Sequence, residues 1–158
     1  MKHILVKIII TLVVLAAAFL VFRLFFASFQ ADHDGVIQLV IVDDDGTVLF
    51  DDEVPFMTHD SLFDVLDRTF TLTCAGPQYQ PDETCSHGFF IFQAESKVIL
   101  GIQHTSFDLQ SDWTGSFLLF EIHDGSDYQT SAYGVSHLPF TDGTMIRIRK
   151  TSVSGGGA

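Results

Sequence analysis

The two cysteines of the chain, Cys74 and Cys85, are the first residues whose chemistry can be inferred from their spacing. Between them lies the Gly- and Pro-containing segment AGPQYQPDET. In an oxidising compartment such a pair closes the loop as a disulfide, which stabilises a fold by roughly 3 kcal/mol through loop entropy. A zinc site needs more ligands at close spacing, and a redox pair is typically Cys-x-x-Cys. We therefore predict a disulfide, with two free thiols as the alternative.

Three aromatic residues, Trp113, Tyr128 and Tyr133, are the candidates for contact with a ligand. Trp113 stands between Asp112 and Gly115 in a segment that predicts a loop, and both tyrosines belong to the loop that follows. An aromatic ring brings a large apolar surface to the wall of a binding pocket. Packing in the core is the alternative for each ring, and it is the expected role of most of the 11 phenylalanines after residue 31.

The acidic residues and the histidines do not have the spacing of metal ligands. The turn Asp43-Asp44-Asp45-Gly46 places carboxylates before a glycine, but an EF-hand aligned on that glycine would have Ile41 as its first ligand. We interpret the segment as a solvated hairpin turn. The four later histidines lack His-x-His or His-x-x-x-His spacing, so neither a metal nor another cofactor is expected: His87, His104, His123 and His137.

A hydrolase is the enzymatic alternative, because Gly134-Val135-Ser136-His137 begins like a nucleophile elbow. That motif needs a second glycine where Leu138 stands, and it needs a strand-to-helix turn. The sequence also lacks a Gly-rich phosphate loop and a Walker motif. We therefore expect a protein without catalytic residues, which is not an enzyme.

Charge is distributed very unevenly along the chain. The formal net charge is −12, and all 20 acidic residues come after Ala31. The part after Ala31 has only five basic residues, so its formal charge is −15. Such a domain repels phosphates and anionic head groups, which excludes nucleic acid as an expected partner.

The N-terminal run Ile8–Phe26 predicts a transmembrane helix, because a bilayer core needs about 20 mostly apolar residues. Lys2 and Lys7 precede the run and acidic residues follow it, so we expect a cytoplasmic N-terminus and an extracytoplasmic domain. A cleaved signal peptide is the alternative, although the run stays bulky and no Ala-x-Ala site follows it. A buried core helix is less favoured, because no polar face marks the run.

The rest of the chain predicts an α+β domain with mostly antiparallel pairing and one short helix packed on the sheet. Val36–Val42 predicts a strand covered on both faces, and a turn leads to a second strand, Thr47–Phe50. Ser61-Leu62-Phe63-Asp64 has the spacing of a capping box before an amphipathic helix. The later strands are predicted at Phe89–Gln93 and Lys97–Ile102, as a hairpin around Ala94-Glu95-Ser96, and at Ser116–Ile122 and Thr144–Lys150.

These segments resemble the transcobalamin C-terminal-like domain family, a β-grasp-like module of bacterial cell surfaces. The resemblance covers residues 36–150 and lies in the opening hairpin, SLFDVLDRTF, KVILGI, Asp112-Trp113 before SFLLFEI, and YGVSHLPFTDGTMIRIR. It implies a surface-exposed binding module, with Trp113 at the matching position. Family members often have further aromatic residues after the tryptophan and then an Asn-Gly turn, whereas Thr114-Gly115-Ser116 follows here. The helical domain that holds the corrinoid in the vitamin carriers is also missing from this sequence.

The sequence thus predicts a start and membrane anchor over residues 1–31, an extracytoplasmic domain over residues 32–150 and a disordered tail over residues 151–158. The expected function is non-catalytic capture of a small hydrophobic or corrinoid-like compound. An accessory subunit that docks on a membrane transporter or a cell-surface assembly is the alternative.

Overall fold

A computed structural model of the chain describes residues 7, 10–19, 31–91 and 94–152. Residues 10–19 are helical and exposed. Within the described residues, no helix is both long enough and apolar enough to cross a membrane. The predicted span Ile8–Phe26 falls only partly within them, since residues 8, 9 and 20–26 lie outside.

The described part of the chain from residue 31 onward folds into sheets and one helix. The elements are β1 (Gly35–Val42), β2 (Val48–Phe56), α1 (Leu62–Thr69), β3 (Thr71–Ala75), β4 (Pro81–Asp82), β5 (Phe89–Ile91), β6 (Ala94–Ser96), β7 (Ile99–His104), β8 (Phe107–Gln110), β9 (Ser116–His123), β10 (Tyr128–Thr130) and β11 (Met145–Ser152). Most strand pairs are antiparallel, so the predicted α+β class is confirmed.

The larger sheet has the strand order β10-β9-β11-β1-β2. Its central strands β1 and β11, the first and last of the domain, run parallel to each other. Ile146 and Ile148 are fully buried while Arg147 and Arg149 lie on the opposite face, as the alternation in the sequence predicts. The predicted coverage of β1 on both faces is wrong in part, because Val36 and Val40 on that opposite face remain partly exposed.

Helix α1 packs against the buried face of this sheet. Leu62, Val65 and Leu66 are fully buried and belong to the main core. Ser61 is the N-cap: its hydroxyl accepts the N–H of Asp64, and the Asp64 carboxylate accepts the N–H of Ser61. The capping box predicted from the sequence is therefore confirmed, and it satisfies backbone donors that the helix itself leaves free.

The second sheet has the order β4-β3-β7-β8 and is joined to its own loop by the disulfide between Cys74 and Cys85. The two Cα atoms are 5.0 Å apart, and both cysteines are buried. The disulfide prediction is thus confirmed. Residues 76–84 form the loop that this bond closes, and we call them the disulfide loop.

Three predicted boundaries differ from the structure. The hairpin of Phe89–Gln93 with Lys97–Ile102 is wrong, because β5 pairs with β6, formed by the residues predicted as the turn. Strand β7 instead pairs with β3 and β8, because a buried strand needs hydrogen-bond partners for its backbone on both edges. Strand β2 continues to Phe56, because its charged residues lie at a solvated sheet edge. Strand β11 extends two residues into the predicted tail, of which residues 153–158 lie outside the described residues.

Candidate ligand-binding groove

An apolar groove of about 290 Å³ lies beside the first half of β9. One wall is β9 itself from Phe117 to Phe120, and a second wall is the segment Lys97–Ile99. The third wall is formed by Thr130, Ser131 and residues 133–135. Most of the lining is aliphatic or aromatic, including Ile91, Val98, Ile99, Phe117, Leu119 and Val135.

The groove exists because, among the described residues, β9 is paired along only part of one edge. Strand β10 pairs with β9 from Glu121 to His123, and the Ser131 N–H still donates to the Phe120 carbonyl at 2.8 Å. Beyond that bond the chain leaves the sheet, while the other edge of β9 remains paired with β11 as far as Ser116. Since alternate residues of a strand direct their backbone groups to alternate edges, the N–H and C=O of Leu118 point to the same edge as those of Phe120. The wall formed by β9 is therefore an edge of that strand.

Serine side chains hold the third wall in place. The Ser136 N–H donates to the Ser96 hydroxyl at 3.2 Å, and the Ser136 hydroxyl accepts the Lys97 N–H at 3.1 Å. The His137 ring nitrogen Nε2 lies 2.8 Å from the Glu95 carbonyl oxygen. Ser136 and His137, the residues of the hydrolase alternative, thus connect residues 134–137 to β6 and the segment after it.

Trp113 and Tyr133 line the groove, and each has 41% of its surface exposed. Trp113 has a φ of 61°, a left-handed conformation that is uncommon for a bulky residue. The Trp113 N–H donates to the Ser116 carbonyl at 2.9 Å, and this bond closes a tight turn before β9. Of the residues predicted to bind a ligand, these two are brought together.

The Asp112 carboxylate organises the turn that carries Trp113. Its Oδ1 atom accepts the backbone N–H groups of Gly115 at 2.7 Å, Ser116 at 2.8 Å and Thr114 at 3.1 Å. These hydrogen bonds lower the pKa of Asp112 to about 2, because they stabilise the charged carboxylate, and the bond from Gly115 has the largest effect. Asp112 therefore supports the backbone of the turn.

Tyr79, which sequence reasoning missed, stacks beside Trp113. The two ring planes are 11° apart and the centroids are 5.9 Å apart. Tyr79 also stacks on Phe89, with centroids 4.7 Å apart and planes at 21°. We call Trp113, Tyr79 and Phe89 the aromatic stack. The sequence signal that could have found Tyr79 is its place as an aromatic residue between the two cysteines. In the structure its φ is 59°, in the left-handed region.

Tyr128, the third predicted ligand-binding residue, does not line this groove. It begins β10, where the Arg147 guanidinium lies 4.1 Å from its ring centroid. Arg147 in turn contacts Glu121, whose other oxygen binds Arg149 at 3.0 Å. Tyr128 is part of this charged cluster and pairs with His123 at the end of β9, whereas the groove lies beside Phe117–Phe120.

Glu121 is a buried carboxylate on that face of the sheet, with 4% of its side chain exposed. Burial alone would raise the pKa of Glu121, but the hydrogen bonds and charges of Arg147 and Arg149 outweigh it and lower this pKa. The carboxylate is therefore charged at neutral pH and links adjacent positions on β9 and β11.

The acidic turn and the histidines do not gather into a metal site in the part of the chain that the structure describes, where no group of three or more potential ligands is found. In the turn Asp43–Gly46, the Asp43 carbonyl accepts the Gly46 N–H at 3.1 Å, and Gly46 has a φ of 88°. The Asp45 carboxylate accepts the Thr47 N–H at 2.8 Å. These carboxylates thus build a hairpin turn, in agreement with their interpretation from the sequence.

The sequence matches no protein-family model and no curated protein.

Proposed function

We propose that this protein is an extracytoplasmic binding domain that holds a small apolar ligand in the groove beside β9. The observation that carries the proposal is the groove itself, with an apolar lining and with Trp113 and Tyr133 both partly exposed in it. Concave apolar sites with a few polar groups are the usual form of small-molecule sites. Hydrophobic contact supplies affinity here, and the rings of Trp113 and Tyr133 contribute large contact areas.

The proposed location outside the cytoplasm is supported by the disulfide between Cys74 and Cys85, since such bonds persist in oxidising compartments. The uncharged run Ile8–Phe22 and the confinement of all acidic residues to the part after Ala31 support attachment to a membrane with the domain outside. Carbonate extraction of cell membranes tests the attachment. Release of the chain into the soluble fraction would contradict it.

Within the α+β class, we propose that the fold is β-grasp-like and related to the transcobalamin C-terminal-like domain. Support comes from parallel pairing of the first and last strands, from a hairpin at the start and from a helix directly after it. The volume of the groove limits the size of the ligand, however. Pockets for drug-sized molecules are about 300–1,000 Å³, and a groove of about 290 Å³ is at the lower limit of that range. We therefore propose a ligand smaller than a corrinoid.

Binding can be measured through Trp113, the only tryptophan of the chain. The full-length protein, kept in solution by an amphipathic polymer without tryptophan, is titrated with a panel of apolar compounds, and the polymer alone is the blank. We expect saturable changes in Trp113 emission, confirmed by equilibrium dialysis. Absence of saturable binding across the panel would contradict the proposal.

Two substitutions on β10 locate the site. Thr130 is exposed and lines the groove, whereas its neighbour Gln129 is exposed and does not. Successive residues of a strand point to opposite faces, so Thr130→Phe fills part of the groove while Gln129→Phe leaves it open. We expect Thr130→Phe to weaken binding at least tenfold and Gln129→Phe to leave it unchanged. Equal effects of the two substitutions would place the binding elsewhere.

Docking on a transporter or another surface protein is a second proposal, favoured by Phe90, which has 82% of its surface exposed. Large exposed apolar side chains are frequent in protein interfaces. Chemical cross-linking through lysine side chains in intact cells tests this function. A partner that is captured with the native chain and lost with Phe90→Ser, without added ligand, would support docking over capture of a small molecule.

A further inference from the structure

We propose that the groove accepts a planar aromatic compound of up to two fused rings, without positive charge, whose ring packs against Trp113. This inference rests on the proposed function, because it names the chemical class of ligand for the same groove. It also assigns a role to Tyr79, which lies outside the groove lining and acts as a positioning residue for Trp113.

The preference for a planar ring comes from the aromatic stack. The indole of Trp113 is nearly parallel to the phenol of Tyr79, at 11°, and the latter is nearly parallel to Phe89, at 21°. Trp113 is also the member of this stack that lines the groove. Offset parallel arrangement is a favoured geometry for aromatic rings. A flat ring that enters the groove can thus extend the series, whereas a puckered saturated ring cannot stack in this way.

The position of Trp113 is restrained from two sides. Its backbone is held by the turn around the Asp112 carboxylate, and its ring contacts Tyr79 from the disulfide loop. The bond between Cys74 and Cys85 closes that loop. Because these restraints exist before any ligand arrives, a ring that binds Trp113 has less side-chain freedom to remove, which favours affinity.

The volume limits the size of the ring system. A dry protein cavity of about 150 Å³ holds a benzene molecule, and this groove has a volume of about 290 Å³. The space therefore suits one ring or two fused rings. Larger polycyclic compounds would extend out of it into solvent.

The polar groups that line the groove indicate which charge a ligand can have. Lys97 is the only charged residue among the described residues that line the groove. Its ammonium group donates to the Ser86 carbonyl at 3.1 Å, which uses one of its N–H groups. Thr130 adds a hydroxyl group, whereas the Ser131 hydroxyl already donates to the Tyr133 carbonyl at 3.2 Å. Although the domain as a whole has a formal charge of −15, the charged side chain in the groove lining is Lys97. Lys97 therefore repels a cation on the ligand at short range and offers a donor to a carboxylate or a neutral polar group.

The experiment compares 2-naphthoate with decalin-2-carboxylate, which has the same carbon skeleton and charge but saturated, puckered rings. Binding to the full-length protein in the amphipathic polymer is measured by equilibrium dialysis. We expect 2-naphthoate to bind at least tenfold more tightly than decalin-2-carboxylate. We also expect 1-methylquinolinium, a planar cation of similar size, to bind at least tenfold more weakly than 2-naphthoate.

Variants of Tyr79 test its positioning role. Tyr79→Phe keeps the ring and should retain the preference for 2-naphthoate over the saturated analogue. Tyr79→Leu removes the stacking partner of Trp113 and should reduce that preference several-fold. Circular dichroism and thermal unfolding establish whether each variant is folded. We expect both to fold, because Tyr79 is 47% exposed and not part of the core.

The outcomes separate this inference from the proposed function. Equal binding of the planar and saturated compounds, both sensitive to Thr130→Phe, would overturn the aromatic class and leave the apolar groove in place. Tighter binding of the planar cation would overturn the assignment of charge. If none of the three probes nor any other apolar compound binds, the proposed function fails and this inference fails with it.

Discussion

The ring of Trp113, from the loop before β9, lies nearly parallel to the ring of Tyr79, from the disulfide loop. Their sequence positions are 34 residues apart. The contact joins the turn organised by Asp112 to the loop closed by the disulfide. Trp113 also lines the groove. The disulfide, whose cysteines do not line the groove, thus restrains the ring that packs against Trp113, the residue that we propose contacts the ligand.

Removal of the disulfide should reduce stability and change the environment of Trp113. We expect Cys74→Ala with Cys85→Ala to lower the free energy of unfolding by about 3 kcal/mol, because the unfolded chain gains loop entropy. Trp113 emission should also shift to longer wavelength, as Tyr79 is no longer held against the indole. Urea unfolding and fluorescence spectra measure the two effects. Tyr79→Leu is the control, which should shift the emission with a much smaller loss of stability.

Acid should release the turn that carries Trp113. The pKa of Asp112 in the folded protein is about 2, below the ordinary value of 3.8. The carboxylate therefore contributes its full stabilisation above pH 3.8, and this is lost as the pH falls through about 2. We expect a change in Trp113 emission over this range that Asp112→Asn removes. Asp124→Asn alters a similar turn at the other end of β9, so it should preserve the change.

Glu121, on the face of the larger sheet that carries Arg147 and Arg149, should contribute strongly to the free energy of unfolding. Glu121→Gln leaves Arg147 and Arg149 without their carboxylate, and we expect the free energy of unfolding to fall by about 2 kcal/mol. This estimate is below the usual cost for a buried pair, because the two arginine side chains are 27% and 39% exposed.

The effect of Glu121→Gln should also depend on pH. Since the folded protein has a lowered pKa at Glu121, the native stability advantage is complete above the ordinary value of 4.5 and declines as the pH falls below it. Asp51→Asn on β2 is the control, because Asp51 is exposed and accepts a hydrogen bond from Gln38. An equal loss of stability in the two variants at pH 7 would contradict the role of the arginine contacts.

The N-cap of α1 offers a local test of the helix. Ser61→Ala removes the side-chain acceptor of the Asp64 N–H, so we expect a loss of about 1 kcal/mol in thermal unfolding experiments. Ser61→Asn keeps an acceptor at the same position and should cost only a few tenths of a kcal/mol. Identical stability of both variants and the native chain would mean that the cap is not needed.

The sequence by itself determined the features that depend on neighbouring residues. The capping box at Ser61, the turn Asp43–Gly46 and the two faces of β11 follow from local hydrogen bonding and from the period of a strand. The disulfide was also predictable, because the chain contains only one pair of cysteines.

Only the tertiary structure decided which strands pair and which aromatic rings meet. The apolar residues of β7 fit a hairpin with β5 as well as a place between β3 and β8, and in the structure β7 is buried between its hairpin partner β8 and the sequence-distant strand β3. Tyr128 and Tyr133 are alike in local sequence terms, yet β10 carries one to the arginine face while the chain beyond it carries the other to the groove. Trp113 and Tyr79 meet because the fold brings two sequence-distant loops together. The energy of such a contact depends on the distance and angle between the rings, which local sequence patterns do not encode.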